Sequence, residues 1–231
     1  MTAAAPVLLF DFGGTLDADG VPWKERFHRL TREEGLDVPK ERFDPAFYAA
    51  CDVLEGAIPA SAGLSETVAR VAEGLAEGLR PENGQEGLLR RVGERFAEDA
   101  FRQLAGSAAL LQRLRARGHR IGIVSNFYGN LQAVCEETGL APWIDVAVDS
   151  TLAGVKKPDP KIFRAALAPL GASPAQAVFI GDSPHRDMAG ARGLGMRHVW
   201  LKGETASPGA VPCCAGDAVI TRLSELEGTP L

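Results

Sequence analysis

Short apolar segments alternate with amphipathic segments over the second half of the chain, and this rhythm constrains the fold more than any other feature. The apolar segments predict strands over Arg120–Val124, Ile144–Val148, Ala177–Ile180, Arg197–Leu201 and Ala218–Ile220. Between them, helical periodicity predicts helices over Asn130–Thr138, Pro160–Leu170 and Asp187–Gly193. Because βαβ units produce this pattern, we expect an α/β fold with a doubly wound parallel sheet and helices on both faces.

A long helical block separates this region from one earlier apolar run, Leu8-Leu9-Phe10. Helices are predicted over Trp23–Glu34, Asp44–Leu54, Ser65–Leu79 and Glu86–Arg102, and a further helix over Ser107–Arg117 returns the chain to the sheet. The sequence therefore predicts an α/β core domain formed by residues 1–19 and 103–231. An all-helical cap domain of residues 20–102 is inserted after the first strand.

Charge and composition narrow the class of partner. The chain has 231 residues, a formal net charge of -5 and 45% hydrophobic residues. Nucleic acids and anionic membranes call for a basic patch, so this mild acidity argues against both as partners. No apolar stretch approaches the roughly 20 residues of a membrane helix, and the N-terminus lacks the basic start of a secretory signal. We expect a cytoplasmic protein; the sequence indicates no oligomeric state.

None of the four cysteines belongs to a C-x-x-C pair, and the histidines are too few and scattered to complete a zinc site. The adjacent Cys213 and Cys214 could form a redox or soft-metal pair. A loop position without a chemical role is the simpler interpretation.

The first apolar run ends on a carboxylate, because Asp11 is followed by Phe12, Gly13, Gly14 and Thr15. Open α/β sheets bind ligands at the carboxyl ends of their strands. The glycines let backbone N–H groups approach and bind an anion. A carboxylate beside such an anion-binding turn is a candidate nucleophile. Taken alone, the segment equally fits a strand followed by a tight turn.

Two later segments carry groups that suit an anion. Ser125 and Asn126 follow a predicted strand, where they can donate hydrogen bonds to an anion at a helix N-terminus; as a pair they also fit an ordinary turn or N-cap. Lys157 lies in the segment Lys157–Pro160, where the following proline keeps its backbone extended. A lysine there can neutralise a carboxylate and a phosphoryl group, although a solvated loop lysine is the alternative.

A second pair of acids follows the strand Ala177–Ile180. Asp182 comes directly after it, and Asp187 follows five residues later. These carboxylates would repel each other and Asp11 unless a cation joined them. Mg²⁺ is the natural choice, because it is oxygen-ligated and commonly bound by one or two carboxylates and a substrate phosphate. Asp187 could instead only cap a helix.

In this order, the segments around Asp11, Ser125, Lys157 and Asp182 resemble the four motifs of the haloacid dehalogenase superfamily, and the helical block resembles its cap. The resemblance implies that Asp11 is the nucleophile and forms an aspartyl-phosphate intermediate. Lys157 would hold the charges of Asp11 and the phosphoryl group together.

The resemblance also implies the binding residues. Ser125 would bind the phosphoryl oxygens, and we place Asn126, Gly14 and Thr15 in the same substrate-binding group. The implied metal ligands for Mg²⁺ are Asp11, the Gly13 carbonyl, Asp182 and Asp187.

One position departs from the pattern, because phosphatases of this superfamily usually carry a second aspartate where this chain has Gly13. That aspartate protonates the leaving group, and general acid–base help of this kind is typically worth about 10² to 10⁴ in rate. The protein should therefore be slow on alkyl phosphates and favour good leaving groups, unless another residue replaces the acid. The candidates are Asp17, Asp19, His28 and His185, or a cap residue that descends on closure.

We therefore expect a Mg²⁺-dependent hydrolase of a small phosphorylated metabolite. A dehalogenase or phosphonatase is the first alternative, since those branches also lack the second aspartate. Against them, the dehalogenases work without metal, whereas this chain keeps Asp182 and Asp187. The phosphonatases need a cap lysine, and Lys24 and Lys40 both fit solvated surface positions. A non-catalytic phospholigand-binding protein is the second alternative.

Overall fold

A single parallel sheet forms the centre of the α/β part of the molecule. The computed structural model describes residues 5–81, 85–203 and 218–230. Six strands within these ranges pair in the order β3-β2-β1-β4-β5-β6. They are β1 Val7–Phe10, β2 Ile121–Ser125, β3 Val146–Asp149, β4 Ala177–Gly181, β5 Arg197–Leu201 and β6 Ala218–Ile220. The predicted parallel α/β sheet is confirmed, with strand ends that match the predicted bounds to within two residues. Cys213 and Cys214 lie outside the described residues.

The register places three strand ends side by side. In β1, Leu8 pairs with Ile121 on one side and with Val178 on the other. All residues of β1, β2 and β4 are buried, as expected for strands covered on both faces. The carboxyl edge of the sheet therefore brings together Asp11, Ser125 and Asp182. β1 is the topological switch point, because the chain continues to β2 on one side of it and later to β4 on the other.

Helices cover the sheet and form the separate helical part. Four long helices precede β2: α1 Trp23–Glu33, α2 Lys40–Leu54, α3 Leu64–Leu79 and α4 Glu86–Ala116. The later helices are α5 Leu131–Glu137, α6 Ser150–Ala153, α7 Pro160–Leu167 and α8 Ala189–Gly193. Short helical turns follow β1 at Phe12–Leu16 and β4 at Pro184–Met188.

The predicted helices Glu86–Arg102 and Ser107–Arg117 form one continuous helix, α4. The expected interruption between Arg102 and Ser107 is wrong, because α4 runs unbroken for 31 residues. Its buried Leu104 and Leu111 are seven residues apart and lie on the same helix face, so the apolar stripe continues through the region. Ser107 also donates a hydrogen bond to the Leu16 carbonyl, at 2.6 Å. The proposed domain division after residue 102 thus falls inside a continuous helix, and the division stays a prediction.

An aromatic cluster fills the interior of the helical part and reaches the sheet. Phe27 and Phe96 stack with ring centroids 4.4 Å apart, and Phe47 packs on Phe27 at 5.6 Å. Trp23 contacts Phe96 on one side and Phe127, next to β2, on the other. The start of α1 is therefore packed directly over the carboxyl edge of the sheet.

Within the ranges that the structure describes, no helix is both long enough and apolar enough to cross a membrane. The cytoplasmic location and the lack of nucleic-acid partners stay predictions.

Candidate active site

Asp11 stands at the tip of β1 with one carboxylate oxygen fully engaged. Its Oδ1 accepts hydrogen bonds from the Phe12 amide at 2.7 Å and from Ser125 Oγ at 2.9 Å. Lys157 Nζ lies 2.7 Å from the same oxygen. Among the described residues, none donates a hydrogen bond to Oδ2. The carboxylate is thus held in orientation by one oxygen while the other is available for chemistry.

Lys157 is a buried cation shared by two acids. Its side chain is 1% exposed, and Nζ lies 2.7 Å from Oδ1 of both Asp11 and Asp187. Burial alone would lower the pKa of this lysine, but the charges of Asp11 and Asp187 outweigh burial and raise it. Lys157 therefore stays protonated and can neutralise charge at Asp11.

Asn126 holds the backbone of Lys157. Its Oδ1 accepts a hydrogen bond from the Lys157 amide at 2.7 Å, and its Nδ2 donates to the Lys157 carbonyl at 3.2 Å. Asn126 also lines the cleft above Asp11. Both ends of its amide are engaged within the protein, so this structure gives Asn126 a positioning role in addition to the predicted substrate contact.

Three acids meet beside Lys157. Asp11, Asp182 and Asp187 are all buried, and one oxygen of each lies within 4.8 Å of the others. Burial raises the pKa of Asp182 well above its usual value, and the charges of Asp187 and Asp11 add to the effect. Burial also raises the pKa of Asp187, against the attraction of Lys157. This crowding of hard oxygen ligands fits a divalent cation such as Mg²⁺, which would relieve the repulsion.

Two residues predicted to bind substrate also support the acids. Thr15 is fully buried, and its Oγ1 donates to Asp182 Oδ1 at 3.1 Å. The Gly14 amide donates to Asp17 Oδ1 at 2.6 Å. Gly14 has a φ of +91°, and a Cβ there would lie 2.7 Å from Asp182 Oδ2. Glycine is required because the Asp182 carboxylate approaches this close. Substrate binding by Gly14 and Thr15 stays a prediction.

Trp23 lies beside the position that lacks the usual aspartate. The backbone of Gly13 has a φ of -76°, which any residue adopts. A Cβ at this position would stand 3.2 Å from Trp23 Nε1 and 3.3 Å from Cδ1. Nε1 donates to Asp17 Oδ2 at 2.7 Å, and Arg26 Nη1 donates to the same oxygen at 2.6 Å. Gly13 therefore leaves room for an indole that is anchored from behind. The Gly13 carbonyl as a metal ligand stays a prediction.

The residues proposed to replace the missing acid lie elsewhere. Asp17 is buried among the donors just described, and burial outweighs Arg26 to raise its pKa. Asp19 accepts a hydrogen bond from the backbone of the C-terminal segment. His28 binds a backbone carbonyl inside the helical part, and His185 is exposed. None of these four lines the cleft above Asp11, which makes them poor substitutes in this arrangement.

The cleft above Asp11 lies between the sheet edge and helices α1 and α2. It has a volume of about 540 Å³. Its aromatic lining consists of Trp23, Phe47, Tyr48, Phe127 and Tyr128. Its charged lining includes Lys24, Asp52, Glu55, Lys156 and Arg186. The cleft can thus hold a small molecule with both a flat apolar part and charged groups.

A hydrogen bond between Tyr128 and Cys51 lies at the cleft wall and joins the helical part to the sheet part. The Tyr128 hydroxyl donates to Cys51 Sγ at 3.3 Å. Burial raises the pKa of Cys51 to about 11, so the thiol is neutral near pH 7. This pair supplies neutral polar groups to the cleft, not a nucleophile.

Comparison with known proteins agrees with this geometry. Residues 6–195 match the family model described as haloacid dehalogenase-like hydrolase. The chain belongs to this family. It has the motifs and the parallel α/β fold expected of that superfamily.

The relatives differ in their names. The chain is 37% identical over 124 residues to haloacid dehalogenase-like hydrolase domain-containing protein 3 of Bos taurus, covering 53% of this chain and 49% of that protein. It is 33% identical over 128 residues to a phosphoserine phosphatase of Thermus thermophilus, covering 54% of this chain and 51% of that protein. The chain thus spans about half the length of these curated relatives.

A solved dehalogenase structure with an intermediate complex superposes with a TM-score of 0.67 at 21% identity. The alignment covers 99% of this chain and 98% of that chain. At this identity the likeness concerns the fold, which includes the helical part.

The sequence does not mark three residues that shape the site: Trp23, Arg26 and, as a buried structural acid, Asp17. Trp23 and Arg26 lie three residues apart at the start of a predicted helix. That spacing places them on one helix face but does not show what the two side chains contact.

Proposed function

We propose that this family member is a phosphohydrolase that acts on small phosphorylated molecules and uses Mg²⁺. The observation that carries the proposal is the arrangement around Asp11, with one oxygen held by Ser125 and Lys157 and three buried acids meeting within 4.8 Å. Burial and neighbouring acids raise the pKa values of Asp182 and Asp187, and a bound divalent cation would offset this cost.

Asp11 acts as the nucleophile in this proposal. Its Oδ2 attacks phosphorus in line with the leaving group, so that the bond to the leaving group breaks and an aspartyl phosphate forms. Water then hydrolyses this acyl phosphate, which releases inorganic phosphate and restores the Asp11 carboxylate. Lys157 and Ser125 keep the carboxylate in orientation and attract the phosphoryl oxygens. Asp11, Asp182 and Asp187 would hold Mg²⁺, which would supply electrostatic stabilisation of the charge on the transferring group.

The leaving group receives no proton from residue 13, because Gly13 has no side chain. The reaction therefore favours substrates whose leaving group departs as a stable anion, such as aryl phosphates, acyl phosphates and phosphoanhydrides. Alkyl phosphates react slowly for want of a proton donor, since that help is worth about 10² to 10⁴ in rate.

The relatives support phosphate chemistry in general and not one substrate. The Thermus thermophilus relative is named a phosphoserine phosphatase, and phosphoserine is an alkyl phosphate. This chain matches about half of that protein. The shared part supports phosphate ester hydrolysis, whereas the substrate depends on the residues that line the cleft.

Hydrolysis of p-nitrophenyl phosphate with and without Mg²⁺ tests the proposal. We expect metal-dependent release of nitrophenol that Asp11→Asn abolishes. The matched control is Asp37→Asn, because Asp37 is an exposed aspartate whose side chain is 85% accessible; it should keep full activity. Ethyl phosphate should react far more slowly than the aryl ester.

Two results would contradict the proposal. Undiminished hydrolysis after Asp11→Asn would show that Asp11 is not the nucleophile. No hydrolysis of any phosphate, together with halide release from haloacids, would assign the protein to the dehalogenase branch. Equal rates on aryl and alkyl esters would leave the phosphohydrolase intact and show that another group supplies the proton.

A further inference from the structure

Arg186 is a cation of the cleft that forms no close ion pair in the described part of the chain. The other cleft cations do: Lys24 with Asp44, Lys156 with Glu55, and Lys157 with Asp11 and Asp187. Although partial desolvation opposes the shift, the charges of Asp11, Asp187 and Asp182 raise the pKa of Arg186, but no described carboxylate lies within 4.0 Å of its guanidinium. The hydrogen-bond donors of this cation therefore remain available to a ligand in the cleft.

The fold fixes where this arginine stands. Arg186 lies in the turn Pro184–Met188 that follows β4, and its amide donates to Ser183 Oγ at 3.2 Å. Its side chain lines the cleft with Asp11 and Asn126. It is exposed, so a bound molecule can reach it.

Acidic side chains also line the cleft. Asp52 of helix α2 and Glu55, the residue after it, are both exposed acids. Asp52 has no ion pair within the described residues, whereas Glu55 pairs with Lys156. An anionic group in the cleft is therefore repelled by Asp52 and attracted to Arg186.

The transferring phosphoryl group already has its own partners. Ser125 and Lys157 face Asp11, and the acid cluster can hold a cation beside it. Arginine, in turn, offers planar paired donors that match carboxylate and phosphate oxygens, and it stays charged at every physiological pH. Its anion is best supplied by the other end of the substrate.

We propose that Arg186 selects substrates whose leaving group carries a second oxyanion, a carboxylate or a second phosphate. This inference rests on the proposed phosphohydrolase function and deepens it. Arg186 then discriminates between phosphate esters while Asp11 carries out the same chemistry on each.

Matched aryl esters test this inference. Phenyl phosphate, 3-carboxyphenyl phosphate and 1,3-phenylene bisphosphate share one ring and differ in the second group. Removing a charged hydrogen bond typically costs about 10- to 100-fold. In Arg186→Gln, kcat/KM for the ester with the preferred anion should fall by that factor relative to kcat/KM for phenyl phosphate. The carboxylate and bisphosphate arms show which oxyanion is preferred.

Two further variants separate the causes. Arg186→Lys keeps the charge without the paired donors and should recover part of the selectivity. Arg164→Gln removes one exposed positive charge on α7, outside the cleft, and should leave the ratio of the rates unchanged. An equal loss for all three esters in Arg186→Gln would overturn the inference, because Arg186 would then act on the shared phosphoryl group.

Measuring the affinity for the three esters tests the role of Arg186 separately from hydrolysis. If the wild-type protein hydrolyses none of the esters, the phosphohydrolase proposal fails, and calorimetry with Mg²⁺ then measures the binding of the same three compounds. Tighter binding of a second-oxyanion ester that Arg186→Gln abolishes supports the site. Equal affinity of wild type and Arg186→Gln for all three esters contradicts it.

Discussion

The indole of Trp23 lies against Gly13, with Nε1 3.2 Å from the point that a Cβ on residue 13 would occupy. The indole cannot easily retreat, because the same Nε1 donates to buried Asp17 at 2.7 Å. The place from which an acid at residue 13 would reach the leaving group is therefore bordered by a fixed aromatic ring. The glycine at residue 13 and the position of the Trp23 indole are therefore linked, because a larger residue 13 would crowd the indole.

Gly13→Asp should consequently fail to restore a proton donor by itself. Crowding against Trp23 is expected to lower the free energy of unfolding by about 1–3 kcal/mol, and ethyl phosphate turnover should stay near that of the wild type. Adding Trp23→Leu makes room, so the double variant should hydrolyse ethyl phosphate faster than either single variant. Denaturant unfolding and the rate on ethyl phosphate measure both effects. A large gain in rate from Gly13→Asp alone would show that Trp23 yields readily.

Asp17 and Arg26 form a buried ion pair that ties α1 to the loop after β1. Their side chains are 0% and 5% exposed, and Arg26 Nη1 lies 2.6 Å from Asp17 Oδ2. Asp17→Leu leaves the arginine buried without its partner, so the free energy of unfolding should fall by about 3–5 kcal/mol. Urea denaturation measures the loss.

The matched control for this pair is Asp37→Asn, which removes an exposed partner of Arg32 and should change stability by less than about 1 kcal/mol. The double variant Asp17→Leu/Arg26→Met should recover much of the loss, since it leaves no uncompensated charge. If Asp17→Leu lowers the free energy of unfolding no more than Asp37→Asn does, the ion pair does not stabilise the contact between α1 and the loop after β1.

Asn126 should affect the reaction mainly through Lys157. Asn126→Ala removes both hydrogen bonds to the Lys157 backbone. A displacement of about 1 Å in a catalytic group can cost 10²-fold in rate, so kcat on p-nitrophenyl phosphate should fall by up to that factor while KM changes less. Gln132→Ala, on the exposed face of α5, is the control and should be neutral. A rise in KM without a fall in kcat would return Asn126 to the substrate-binding role.

The strand ends of the active site could be predicted from the sequence because each is marked locally. A buried apolar run followed by Asp11, by Ser125 or by Asp182 fixes the residue at the carboxyl edge of a parallel sheet. Strand pairing then brings these edges together without further information. The meeting of Asp11, Asp182 and Asp187 follows from that topology.

Contacts between the helical part and the sheet could not be predicted in the same way. Nothing local to Trp23 shows that α1 begins over Gly13, because that depends on the packing of a whole helix. For a similar reason, the sequence does not show what the Gly14 amide and the Thr15 hydroxyl contact. Which neighbour uses a glycine amide or a hydroxyl is decided by side chains remote in sequence, here Asp17 and Asp182. The continuity of α4 likewise depends on tertiary burial of Leu104 and Leu111.

The acid cluster makes the stability of the metal-free protein depend on pH. Burial, with the charges of Asp187 and Asp11, raises the pKa of Asp182 well above its usual value, although Arg186 and Lys157 oppose the shift. The folded state thus favours protonated Asp182. Its contribution to the free energy of unfolding is complete below the unfolded carboxyl pKa, near about 4. That contribution is lost as pH rises through the raised folded pKa.

Metal-free protein should therefore lose stability from Asp182 between about pH 5 and about pH 8, and Mg²⁺ should stabilise it more at the higher pH, where the acid is ionised. Urea unfolding in EDTA and in excess Mg²⁺ at both pH values measures this. Asp182→Asn removes the titrating group and should give a flatter pH dependence with a smaller Mg²⁺ effect. If Mg²⁺ stabilises wild type and Asp182→Asn equally at both pH values, the cation does not bind at the cluster of Asp11, Asp182 and Asp187.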